Sequence, residues 1–275
     1  MTDTGIPAGK SDRNGTMTHD VGTGSPKTTD RIEAAIPFHR LLSVETRKLF
    51  DTRSGKIMTV ILLFLTLASI VARGVVSGPQ LQTLVHTAGI GFGILLPVIG
   101  ILTVTGEWSH RTALTTFVLE PRRRRVLAAK CLPPLITTAA ASLFAMLVAV
   151  PVTAAVASAQ AVPANWEIAS VTLLGWAVAN VLVVAMGLSV GMLLLNAPAA
   201  IVIYLATPML WSVVAQLGAT GEVLTEWLDL GTAAAPLMSG DMTGGDTARL
   251  AVSVIFWIVI PMTLGVARVT RKEVS

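Results

Sequence analysis

Ionisable side chains can hold an ion, move a proton or carry electrostatic force, and in this sequence they are sparse and crowded into a few places. Of 275 residues, 20 are Lys or Arg and 16 are Asp or Glu. None lies between Lys130 and Glu167, and none between Glu167 and Glu222. The densest cluster is residues 106–130, GEWSHRTALTTFVLEPRRRRVLAAK, with five arginines and one lysine. Such a cluster fixes the orientation of neighbouring apolar segments or contacts a partner or anionic lipid. For Arg122, Arg123, Arg124, Arg125 and Lys130 both uses are open.

Bond-breaking chemistry finds no comparable cluster. Ser142, Ser170 and Ser189 lie in long apolar stretches that contain no histidine, so they read as packing serines rather than nucleophiles. The single cysteine, Cys131, has no intrachain disulfide partner and lacks the company a metal site requires. Residues 22–28, GTGSPKT, carry Pro26 where a phosphate-binding loop needs glycine before the lysine. The expectation is therefore no catalytic, cofactor-binding or metal-binding residue in this chain.

The elements that hold these residues follow from composition. The chain is 53% hydrophobic and 13% charged, with a formal charge of +4 and a mean hydropathy of +0.71. Soluble domains carry about 25% charged residues. This is the composition of an all-α, polytopic membrane protein. Six apolar segments are expected near 57–72, 84–104, 131–156, 168–195, 197–214 and 250–267. A span needs about 20 residues to cross a hydrocarbon core of roughly 30 Å. Residues 1–35 are rich in Thr, Gly, Asp and Ser and read as a disordered cytoplasmic tail. They hold no apolar stretch resembling a cleaved signal peptide. Residues 36–275 form the membrane domain.

Cations alternate between loops. Arg47, Lys48, Arg53 and Lys56 precede the first segment, the basic cluster joins the second to the third, and Arg268, Arg271 and Lys272 follow the sixth. Arg73 and Arg249 are the cations of the other face. The positive-inside bias puts both termini in the cytoplasm. It also explains the basic balance without nucleic acid. No span core offers the charged residue by which a proton- or sodium-driven carrier holds its coupling ion. Energy for any transport must then enter from the cytoplasmic side.

Two smaller patterns bear on that entry. Residues 38–51 predict an amphipathic interfacial helix, with Phe38, Leu41, Leu42 and Leu49 on one side and Arg40, Ser43 and Arg47 opposite, at about 100° per residue. Glu45 falls within its apolar stripe, either paired locally with Lys48 or Lys56 or anchoring the helix to a neighbouring cytoplasmic helix. Gly187 and Gly191 form a GxxxG pattern in the fourth segment, suited to close packing within the subunit or against a second copy. On the outer face, residues 222–230 mix Val223, Leu224, Trp227 and Leu230 with acids, as a short re-entrant or interfacial helix or as a surface loop.

With six spans, an interfacial helix and the loop pattern Glu107, Thr112, Phe117, Pro121, Arg122, Arg123, Arg125, Val126, Leu127, Ala129 and Lys130, the chain resembles the permease subunits of type-2 ABC exporters, most closely the compact actinobacterial kind. That resemblance implies a multi-pass subunit in the plasma membrane that pairs with a second permease copy or a related permease. It also implies a separate cytoplasmic ABC ATPase, which binds ATP and drives efflux, since this chain has no Walker motif. Glu107 would sit at a hinge below the second span, favoured there by the dipole of the helix that follows. Trp108, Leu114, Phe117 and Val118, with Glu45, would form the ATPase-coupling surface. Many relatives carry a glycine in the turn near Arg111. The cargo implied is amphipathic or hydrophobic. The alternative is a non-transporting scaffold or sensor whose basic loop docks a cytoplasmic protein.

Overall fold

The computed structural model describes residues 37–109 and 122–271. Their elements are α-helices: α1 (Phe38–Asp51), α2 (Arg53–Ser77), α3 (Leu81–Ser109), α4 (Arg123–Gln160), α5 (Ser170–Leu194), α6 (Ala197–Ala215), α7 (Ala219–Leu228), α8 (Leu230–Ser239), α9 (Gly244–Val254) and α10 (Ile260–Arg271), with a π-helical turn, Ile255–Val259, joining the last two. Among the described residues the only β pairing is an isolated bridge between Gln80 and Asn165.

Six helical stretches are long and apolar enough to cross a membrane: Gly55–Ser77, Leu81–Gly106, Arg124–Gln160, Ser170–Leu194, Ala197–Ala215 and Gly244–Arg271. Five of them overrun the apolar segments read from sequence, and Ser170–Leu194 lies within its segment, 168–195. Hydropathy marks only the stretch in hydrocarbon, whereas the backbone stays helical through the headgroup layers. The outward surface is apolar as well. Val60, Phe64, Leu147, Val202 and Met209 are all at least 64% exposed, which fits lipid as their solvent. The chain is an all-α multi-pass membrane protein.

α5 is the central helix. Half of its apolar window is buried, against 17% for α6 and 22% for α2. It packs on α3, and together they carry the fully buried Leu84, Leu96, Trp176, Leu188 and Met192. Polar contacts fix the ends. At one end Leu81 donates its N–H to the Asn165 carbonyl, and Gln160 Nε2 donates to the Val75 carbonyl at 3.0 Å. At the other, Arg268 Nη1 donates to the Leu193 carbonyl at 2.9 Å, filling a helix C-terminal acceptor. The second end gathers the basic residues flanking α2, α4 and α10 and is the cytoplasmic end by the positive-inside rule. The uncharged turn into α6 is held there by Asn196, whose Oδ1 accepts from Ala199 N–H at 3.0 Å, with proline in the first helical turn.

The outer segment between α6 and α9 is structured as two short helices. α8 packs against α5 and buries Leu230, Ala233 and Ala234. Asp229 starts it, accepting from Gly231 and Thr232 N–H. Ser253 Oγ and Trp257 Nε1 both donate to the Leu228 carbonyl, at 3.3 and 2.7 Å, tying the end of α7 to the last span. Of the two readings open for residues 222–230, the helical one describes the fold.

Candidate functional site

The inner face brings together α1, the inner ends of α2 and α3, and the start of α4. α1 lies with Leu41, Leu42, Glu45 and Leu49 turned inward and His39, Arg40, Ser43 and Arg47 exposed. Glu45 is only 6% exposed. A buried carboxylate needs partners, because desolvation otherwise costs several kcal/mol. Glu45 has two. Lys48 Nζ donates to Oε1 at 2.8 Å from the next turn, and Lys130 Nζ donates to Oε2 at 3.1 Å from α4. Lys48 is half exposed, whereas Lys130 is 4% exposed. Glu45 therefore makes the local pair and the interhelical anchor at once. Lys56, the other local candidate, is exposed.

Lys130 was read from sequence as part of the basic loop and was missed as the partner of Glu45. A signal existed. Val126 and Leu127 are buried one turn earlier, so Lys130 continues their inward face at the helical spacing. Among the cations near 122–130 whose side chains are described, it is the one that is fully buried. Arg122 and Arg124 are exposed and Arg125 is partly buried.

Beside the ion pair lies a cavity of about 360 Å³, bounded by Lys48 and Thr52, by Met58 of α2, by Thr103 and Gly106 of α3, and by Lys130. Thr52 caps α2, its Oγ1 accepting from Gly55 N–H at 3.1 Å. Gly55 permits the close approach of α1: a Cβ there would lie 1.9 Å from the Leu49 carbonyl oxygen. Through these contacts the interfacial helix is fastened to the start of α2 and to the start of α4.

Two features of that loop differ from expectation. Glu107 and Trp108 lie in the last turn of α3, which continues to Ser109, not at the start of a following helix. The dipole at the C-terminus of α3 disfavours a carboxylate, and the helix expected to follow Glu107 falls on residues outside the described ones. Hydropathy ends the span near residue 104, while helical hydrogen bonding runs on. Conversely, the arginines stand at the N-terminus of α4, where cations are disfavoured and the first turn holds no acid. Leu114, Phe117 and Val118 lie outside the described residues, as does the tail 1–35, and the side chains of Glu107, Trp108 and Arg123 are also outside them.

The glycine pattern of α5 faces α3 of the same chain. A Cβ on Gly187 would lie 2.9 Å from Pro97 Cβ, and one on Gly191 would lie 2.9 Å from Val104 Cγ2. Nearby, the Tyr204 hydroxyl of α6 donates to the Gly93 carbonyl. Pro97 has no N–H, so the Gly93 carbonyl lacks its usual partner four residues on. The tyrosine supplies the missing donor. Sequence reading missed this bond, although a proline in a span predicts a freed carbonyl and this chain has one tyrosine.

Among the described residues no group of His, Cys, Asp and Glu is arranged to hold a metal ion. No family model matches this chain, and no curated protein matches it.

Proposed function

We propose that this chain is the permease subunit of a type-2 ABC exporter in the plasma membrane, coupled to a separate cytoplasmic ATPase. The observation that carries the reading is the buried Glu45–Lys130 pair. It joins the interfacial helix to the start of α4, and the close approach of Gly55 to Leu49 joins the same helix to the start of α2. Force applied to α1 by a partner reaches two spans at once. The exposed arginines at the start of α4 add to this. Exposed Arg122 and Arg124 oppose the helix dipole by about 0.3–1 kcal/mol each, a cost that an acidic partner surface or anionic lipid would offset. The spans carry nothing able to harvest an ion gradient, so a nucleotide-driven partner supplies the work. The cargo is an amphipathic or hydrophobic compound.

The test is reconstitution with a cognate ABC ATPase. Glu107→Ala is expected to insert normally and to lower both transport and transport-stimulated ATP hydrolysis. Phe117→Asp is expected to reduce recovery of the ATPase on co-purification. Full transport by the first variant together with unchanged ATPase recovery by the second would remove this function.

A further inference from the structure

A second cavity is on the opposite face from the ion pair. It is an open groove of about 760 Å³ between the outer halves of α2 and α3, with Ser69, Arg73 and Val76 on one wall and Gln82, Thr83 and His86 on the other. Of the two outer cations, Arg249 is neutralised by Glu226 at 3.0 Å and Asp246 at 3.3 Å. Arg73 has no hydrogen-bond or ion-pair partner among the described residues, and no acid lines the groove. The buried Nε2 of His86 is likewise without a hydrogen-bond partner, its ring stacked parallel to that of Trp176.

Depth defines what such a groove can take. Arg73 lies four residues before the end of α2 at Ser77, about 6 Å inward at 1.5 Å per residue. His86 lies five residues into α3 from Leu81, about 8 Å inward. The headgroup layers of a bilayer are each about 5–8 Å thick, so both side chains stand where headgroup meets acyl chain. A guanidinium at that level complements a phosphate or carboxylate. The hydroxyls are already engaged: Ser69 donates to the Thr66 carbonyl and Thr83 to Gln80 Oε1. Arg73 and Gln82 are left as donors for a ligand. Below them, exposed Leu65 of α2 and Ile94 of α3 continue the surface as hydrocarbon.

We propose that this groove binds an anionic amphiphile from the outer leaflet, its headgroup on Arg73 and Gln82 and its chain along α2 and α3. The site needs no ATPase and does not depend on the transport reading.

Native mass spectrometry of the full chain, stripped of lipid in detergent, tests it with phosphatidylglycerol, phosphatidylcholine and soluble glycerol phosphate as probes. Phosphatidylglycerol is expected to bind in preference to phosphatidylcholine. Arg73→Gln should weaken that binding about fivefold, the contribution typical of one cation near an anionic headgroup, while Arg249→Gln leaves it unchanged. Arg73 is exposed, and an unaltered melting temperature would show that its variant is folded. Equal affinity for the two lipids, an unaffected Arg73→Gln variant, or displacement of phosphatidylglycerol by an equal concentration of glycerol phosphate would each overturn the site.

Discussion

The Glu45–Lys130 pair shows how a single residue can be legible in sequence while its partner is not. Glu45 stands out because a carboxylate in an apolar stripe must be paired, protonated or functional. Its partner is 85 positions away, and several cations were equally available by charge. Only the packing of α1 against α4 selects Lys130. The energetics separate a structural role from a coupling role. Removing one partner of a buried pair costs up to about 3–5 kcal/mol, whereas replacing both with apolar residues is often near neutral; the half-exposed Lys48 stays beside Glu45 when Lys130 is lost and lowers that cost. Lys130→Ala is therefore expected to lower the melting temperature of the detergent-purified protein markedly. The double variant Glu45→Leu with Lys130→Leu is expected to recover most of that loss. If the single variant melts as the wild type does, the pair is not buried as described.

Whole elements were more readable than their ends. Six apolar helices, an interfacial helix before them and a glycine-patterned fifth helix, α5, all follow from residue periodicity. Boundaries did not, because hydropathy reports the lipid and helical hydrogen bonding does not stop where the lipid does. That difference places Glu107 in the last turn of α3. The junction of α3, α5 and α6 was hidden for another reason: it depends on what fills a gap in the helical ladder. Pro97 frees the Gly93 carbonyl, Gly187 and Gly191 let α5 approach the same stretch of α3, and Tyr204 completes the contact from α6. Tyr204→Phe is expected to cost about 1–3 kcal/mol, the penalty of a buried acceptor left unmade. Pro97→Ala restores the Gly93 partner within α3, so the cost of losing the hydroxyl should shrink in that background. A double-mutant cycle read by thermal unfolding measures the difference. Strictly additive effects would mean that the hydroxyl and the proline act independently.

For the molecule as a whole, the distribution of charge limits how it can be driven. Between Lys130 and Glu222 a run of about three spans contains one residue among Asp, Glu, Lys, Arg and His, Glu167, and that residue is exposed in the outer connection before α5. The remaining spans carry charge only toward their ends: Lys56 at the inner end of α2, Arg73 at its outer end, Asp246 and Arg249 at the outer start of α9. A gradient-driven carrier must bind its ion near mid-bilayer and release it on the other side, which requires an ionisable or ion-coordinating residue there. The cytoplasmic face, by contrast, holds a buried ion pair, a cavity and a basic helix start. Charge is thus gathered where a partner can reach it and is sparse along the spans. Vesicles containing this chain alone, with an imposed proton or sodium gradient and no nucleotide, are expected to accumulate none of its cargo. Addition of the ATPase and ATP should start accumulation without any gradient. Uphill movement in the first condition would mean that the spans can harvest an ion after all, and the force would no longer need to enter through α1 and the loop beside it.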